Sequence, residues 1–217
     1  MNKTDIQLKQ DVEDELSWEP KVNAAQIGVT VQHGAVTLMG AVDSYAEKWA
    51  AEQAVKRVDG VRAVAQELTV TVLGDHKHTD SEIAEAVLSA LKWDVWVPKS
   101  ISAQIQEGRV MLEGRVDWNY QRDAAVRAVS NLEGVTSVIN AIKVKATASS
   151  EVVKEQVQAA LDRQAKRDGN TIHVGTSGGT VTLSGSASSW HAIEEATSAA
   201  WSAPGVTDVV QNMGVVA

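Results

Sequence analysis

Val36-Thr-Leu-Met-Gly40 is written three times in this chain: it returns as Val110-Met-Leu-Glu-Gly114 and as Val181-Thr-Leu-Ser-Gly185. Six residues before each closing glycine stands another, Gly34, Gly108 and Gly179. Twenty residues after it a third opens a Gly-Val pair, at Gly60, Gly134 and Gly205, and a second valine follows three residues on, at Val64, Val138 and Val209. The closing glycines lie 74 and 71 residues apart. Solenoid repeats are usually ~20–50 residues long, so this unit is a small domain with its own core, and three copies fill nearly the whole chain. Little sequence is left for a separate catalytic domain.

Around the motif the hydrophobic period changes twice. Leu8, Val12 and Leu16 align with Ile83, Val87 and Leu91 and with Val153, Val157 and Leu161. That i, i+4, i+8 spacing is one stripe of an amphipathic helix. Thr79-Asp-Ser-Glu82 reads as a capping box at the start of the second of these helices. Next comes alternation: Ile27, Val29, Val31; Ile101, Ala103, Ile105; Ile172, Val174, Thr176. Each run meets Val-x-Leu across His33-Gly34, Glu107-Gly108 or Gly178-Gly179, which predicts a β-hairpin.

A second helix is expected at about 44–58, 118–132 and 188–203. Ser44-x-x-Glu47 reads as a capping box, with Asp117 and Ser188 as the other two caps. Its buried stripe is small: Ala50, Ala51, Ala54; Ala124, Ala125, Ala128; Ala196, Ala199, Ala200. Gly60, Gly134 and Gly205 are expected at C′, in the left-handed conformation that ends a helix. A last strand closes each unit at about 62–72, 136–145 and 207–216. The fold class is therefore α+β: three tandem αββαβ modules, each two helices on a small three-stranded mixed sheet. The modules run over 1–73, 79–146 and 149–217, with polar linkers at 74–78 and 146–150. All nine glycines, Gly34, Gly40, Gly60 and their counterparts Gly108, Gly114, Gly134, Gly179, Gly185 and Gly205, read as structural.

Composition excludes several function classes. The chain has no cysteine, which removes disulfides, thiol catalysis and thiolate metal sites. Net charge is −8. The first repeat (1–75) carries 7 basic and 12 acidic groups, the middle (76–148) 9 and 9, the third (149–217) 4 and 7. Without a basic stripe no nucleic-acid partner is expected. No apolar run approaches the ~20 residues of a membrane span, so a transmembrane protein is not expected. No apolar signal region opens the sequence, which points to the cytoplasm, or to the periplasm if a signal peptide has been removed.

The order of helix, V-x-L-x-G hairpin, alanine-rich helix, G-V-x-x-V and strand resembles the BON domain (bacterial OsmY and nodulation) in all three repeats. The positions that carry it are Val36, Leu38, Gly40, Gly60, Val61 and Val64 with their counterparts, and a chain of several such modules resembles the OsmY group. The resemblance implies non-enzymatic roles: osmotic or envelope stress response, phospholipid binding, or chaperone-like holding of proteins.

Candidate chemistry is sparse. The five histidines, His33, His76, His78, His173 and His191, share no equivalent position. His76 and His78 with Asp75 and Asp80 offer at most a loose metal site, and read better as a polar linker. The acidic runs Asp11-Val-Glu-Asp-Glu15 and Glu194-Glu195 are candidates for a cation, potassium being the one the BON resemblance implies, and read better as solvated helix faces. Gly175-Thr-Ser-Gly-Gly179 lies at a hairpin turn, where it does not cradle phosphate. No catalytic residue, cofactor or metal ligand is assigned. The middle repeat holds the best partner surface. Arg109 and Arg115 point off the core side of their strand. Trp118 and Arg122 are four apart on a predicted helix. Trp93 and Trp96 follow the preceding helix, and Trp18 and Arg163 match Trp93 in the other repeats. Aromatics beside arginines suit a phospholipid surface or a protein client. The expected function is non-enzymatic, stress-linked, peripheral phospholipid binding. The alternatives are a soluble holdase or scaffold, and small-ion binding. Exposed edge strands leave room for a homo-oligomer.

Overall fold

The computed structural model describes residues 3–72, 77–145, 153–155, 157–159 and 171–215. The first module runs α1 (Asp5–Trp18), β1 (Ile27–Gln32), β2 (Ala35–Val42), α2 (Tyr45–Arg57) and β3 (Ala63–Val70). The second repeats it as α3 (Asp80–Trp93), β4 (Ser102–Gln106), β5 (Arg109–Val116), α4 (Asn119–Ser130) and β6 (Ser137–Val144). In the third, residues 153–155 and 157–159 are helical. There β7 (Thr171–Ser177), β8 (Thr180–Ala187), α5 (Trp190–Trp201) and β9 (Asp208–Val215) follow. The fold is α+β, in three modules, as the periodicities predict. The linker residues 74–76 and 146–150, with Leu161 and Arg163, lie outside the described residues.

The V-x-L-x-G strand is the middle of every sheet. It pairs antiparallel with the strand before it and parallel with the last strand, so each sheet is mixed. The parallel pairing is what the intervening helix makes possible, since it carries the chain back across one face. Val36, Leu38 and Val42 are buried against Leu8, Val12 and Leu16 of α1 and Ala51, Ala54 and Val55 of α2. The second core repeats this with Val110, Leu112 and Val116 against Ile83, Val87 and Leu91 and Ala125 and Val129. Val153 and Val157 join Val181 and Leu183 in the third.

Local features follow the sequence with four corrections. Thr79 and Glu82 form the expected capping box, and Thr4 and Gln7 form another on α1. Ser44 accepts from the Glu47 amide, but the Glu47 carboxylate does not return to Ser44. It bridges the Asn23 and Asp43 amides at 2.7 and 2.9 Å, tying the β1 entry to the start of α2. The cap of α5 is Ser189, not Ser188. Asp117 does not cap α4: Trp118 holds that position, and the Gln121 side chain accepts from both the Asp117 and Trp118 amides. Finally, Gly60, Gly134 and Gly205 are not C′ residues. Each sits third in a turn after the helix, closed by Val61 to Val58, Val135 to Leu132 and Val206 to Ala203. Positive φ at the third position is the type II requirement, and Pro204 fits the position before it.

The closing glycine of the motif is needed for space as well as conformation. A Cβ on Gly40 would fall 2.2 Å from the Gln26 carbonyl oxygen, and one on Gly114 2.5 Å from that of Ser100. The hairpin turns are fixed from below. Asp5 accepts from the His33 and Gly34 amides at 2.8 and 3.1 Å, and Asp80 from Glu107 and Gly108 at 2.8 and 2.9 Å. These backbone bonds hold both carboxyls below their usual pKa.

Each module touches the other two. Tyr45, the first residue of α2, packs on the second core. Trp190, the first residue of α5, packs on the first core. Helices α2 and α5 lie against each other, with Lys56 Nζ 3.5 Å from a Glu194 carboxylate oxygen. Trp201, at the end of α5, bridges the second and third cores. The repeats therefore close on themselves instead of extending as a rod.

Candidate functional site: the aromatic end of the middle module

Helix α3 starts at the hairpin turn, where Asp80 is bound, and ends at Trp93 on the far side of the sheet. Its terminus and the following loop leave large apolar groups in solvent: Trp93 is 79% exposed, Val95 86% and Trp96 58%. Asp94 shapes this loop by accepting from the Trp96 amide at 2.8 Å. The Trp96 ring meets Tyr120 edge-on, centroids 5.6 Å apart at 86°. Edge-to-face contact of this kind is worth about 0.5–1.5 kcal/mol beyond area burial and orders the two rings. Exposed Lys92 and Lys99 flank the patch in sequence. In the first module Trp18, at the equivalent end of α1, is 85% exposed.

The six residues singled out from the sequence do not form one surface. Trp93 and Trp96 form the exposed patch, and Trp118, 38% exposed, stands beside Tyr120 in a neighbouring cleft. Arg115 is exposed near the end of β5, where its carbonyl accepts from Ser100 Oγ. Arg109 is at the opposite, hairpin end of that strand, 3.2 Å from the Glu107 carboxylate. Arg122 is turned away from solvent: its guanidinium lies 4.3 Å over the Trp201 ring of the third module. Burial lowers the Arg122 pKa, and burial raises that of neighbouring Asp123, whose carboxylate lies 3.8 Å from Arg122 Nε. The four-residue spacing put Trp118 and Arg122 on one helix face, but gave no hint that a neighbouring module covers part of it.

The cleft has a volume of about 400 Å³ and lies between the middle and third modules. It is lined by Trp118, Asn119, Tyr120 and Asp123 on one side and Ser198, Trp201 and Ser202 on the other. Tyr120, Asn119 and Trp201 were not singled out from the sequence. The signal for Tyr120 was there, an aromatic two residues from Trp118 in an aromatic-poor chain.

The ion-site candidates are occupied by local pairs. Asp11 pairs with Lys3 at 2.8 Å, Glu13 with Lys9 at 3.6 Å and Glu15 with Arg57 at 2.9 Å, and Asp14 accepts from Gln10. Glu195 faces His191 at 3.5 Å, and His78 faces Glu133 at 3.2 Å. Among the described residues no three His, Asp or Glu groups converge as metal ligands. His76 and Asp75 lie outside them. No helix among the described residues is long and apolar enough to cross a membrane.

This architecture defines a class, small αββαβ modules in tandem, and comparison gives it a family. The BON domain model matches residues 4–72, 79–146 and 149–217, and the chain belongs to the BON family. It is similar to osmotically-inducible protein Y of Escherichia coli (strain K12), 31% identical over 133 residues that cover 57% of this chain and 64% of that one. The chain thus spans less than two thirds of that relative's length. Among solved structures it matches the C-terminal domain of CdsD, a structural protein of the type III secretion system of Chlamydia trachomatis. Identity there is 16% over 99% of this chain and 100% of that one, with a TM-score of 0.27. The PrgH periplasmic domain matches at 11% identity over 88% and 96%, with a TM-score of 0.23.

Proposed function

We propose that the chain is a non-enzymatic binding protein of the osmotic or envelope stress response that attaches peripherally to phospholipid through the aromatic end of its middle module. The carrying observation is the exposed cluster of Trp93, Val95 and Trp96 backed by Tyr120. Isolated exposed apolar residues are ordinary, but three large ones exposed within four consecutive positions, one of them ring-paired with Tyr120, mark a contact surface. Tryptophan suits the headgroup region because its body is apolar and its edge polar. Lys92, Lys99 and Arg115 supply positive charge on the one module whose charges balance. BON family membership and the resemblance to osmotically-inducible protein Y support the stress-linked setting.

Intrinsic tryptophan fluorescence on titration with phosphatidylcholine and then phosphatidylglycerol vesicles tests this. A saturable blue shift with phosphatidylglycerol, weakened by salt and lost in Trp93→Ala plus Trp96→Ala, is expected. Arg109→Glu, at the other end of the sheet, is expected to leave binding intact. No shift with either lipid refutes the proposal. The second reading is a holdase that docks client proteins on the same patch. The net charge of −8 favours it, because an acidic chain is repelled by anionic membranes. Suppression of client aggregation in lipid-free buffer, lost in the same double variant, would support it.

A further inference from the structure

The three seams are built on one position of the repeat. Tyr45, Asn119 and Trp190 each open the second helix of their module, five residues after the closing glycine of the motif. Tyr45 packs on the second core and Trp190 on the first, while Asn119 faces the third module across the cleft. Two seams are thus closed by the module's own aromatic ring. The third has a short amide in the ring's place, and the cleft of about 400 Å³ lies there. That is within the range of roughly 300–1,000 Å³ of small-molecule sites.

The polar groups of the cleft specify the complement. Asn119 is 9% exposed. Its Nδ2 donates to Asp123 Oδ2 at 2.8 Å, and its Oδ1 has no partner. A buried amide oxygen without a donor is costly, and an N–H or O–H brought to it recovers that cost. The Asp123 carboxylate is a further acceptor, and the Ser202 hydroxyl already donates to the Ser198 carbonyl. The Trp118 and Trp201 ring N–H groups and the Tyr120 and Ser198 hydroxyls add donors, but the negative charge of Asp123 disfavours an anion. Trp118, Tyr120 and Trp201 supply the flat walls against which a ring stacks. We propose that this seam binds a small planar aromatic molecule carrying an N–H or O–H donor. Such a molecule is the free counterpart of the side chains that close the other two seams.

The test uses the full chain with indole and p-cresol, the Trp190 and Tyr45 side-chain groups without a backbone. N-methylindole serves as the control that lacks the donor, and proton–nitrogen correlation NMR of the tryptophan ring N–H and asparagine amide signals is the readout. Indole and p-cresol are expected to move the Trp118, Trp201 and Asn119 signals saturably. N-methylindole is expected to bind about fivefold more weakly, the worth of one net hydrogen bond. Asn119→Trp refills the seam and is expected to abolish the response of Trp118 and Trp201. Should that variant fail to fold, Asn119→Ser keeps the space, removes the amide and is expected to bind indole and N-methylindole equally. The proposal is overturned by the absence of a saturable response at those three residues. It is equally overturned if the unmodified chain binds N-methylindole as well as indole, or if a folded Asn119→Trp chain retains the response.

Discussion

Trp190→Ala tests whether the three modules form one body. Trp190 belongs by sequence to the third module, yet it packs on the core of the first as well as on Ala187, Ala192 and Ile193 of its own. A tryptophan covers about 150–250 Å² when it packs, and apolar area is worth about 25 cal/mol per Å². Trp190 is only partly buried, so removal of most of that contact is expected to cost about 2–4 kcal/mol, near the lower end of measured Trp→Ala losses. Across the same seam Lys56 Nζ lies 3.5 Å from a Glu194 carboxylate oxygen, both side chains partly exposed. Such a pair is worth about 0–1 kcal/mol, so the ring decides the stability of the seam. If the chain melts cooperatively, about 2–4 kcal/mol lowers Tm by about 5–15 °C at this size. Amide hydrogen exchange locates the effect. Protection of β1 and β3 in the first module is expected to fall along with that of α5. Loss confined to the third module, with first-module protection unchanged, would refute the seam and the closed arrangement with it.

Three further outcomes follow from local geometry. Gly114→Ala places a Cβ 2.5 Å from the Ser100 carbonyl at a φ of +144°, and is expected to lower the unfolding free energy read from urea titration by more than about 1 kcal/mol. Gly178 has open space around its missing Cβ and a φ of +55°, close to the 52° that His33 and Glu107 adopt at the matching turn position, so Gly178→Asn is expected to change the unfolding free energy by less than about 0.5 kcal/mol. Asp5 and Asp80 have folded pKa values below the unfolded value near 3.8, so their contribution is present above that pH and is lost as pH falls through the folded values. Asp5→Asn plus Asp80→Asn is therefore expected to lower Tm at pH 7 and to flatten its fall below pH 4, as thermal melts across that range would record.

What the sequence reveals stops at the module boundary, for a physical reason. Periodicity reports which face of an element is buried, so the stripes of Leu8, Val12 and Leu16 and of Val36 and Leu38 foretell the cores to the residue. Turn chemistry is read less well. Gly60 was expected to end a helix, because a positive φ serves a C′ residue and a type II turn alike; Pro204 before Gly205 was the clue that separates them. The Asp5 and Asp80 carboxylates went unread because their partners are the His33, Gly34, Glu107 and Gly108 amides, which no side-chain pattern marks. Arg122 was placed on an outer face because nothing local announces that Trp201, 79 residues further on, will lie under it.

The seams show why repetition identifies the fold better than it identifies a binding site. Positions that repeat, such as Gly40 and Gly114, answer demands the copies share: a strand must pass close to a loop carbonyl, and only glycine leaves room. Positions that differ between copies answer demands peculiar to one interface. Tyr45, Asn119 and Trp190 share one structural address and meet three different neighbours. The Trp93 position follows the same logic: it is matched by Trp18 at a helix end that is also exposed, so the aromatic there belongs to two copies and is not demanded by either core. An exposed tryptophan that no core requires, and an asparagine where its counterparts are rings, are departures that packing within a module does not explain. In an array of near-identical domains, those departures are where selection on binding is separable from selection on folding. The aromatic end of the middle module and the Asn119 seam both lie on that list, and they meet at Trp118 and Tyr120.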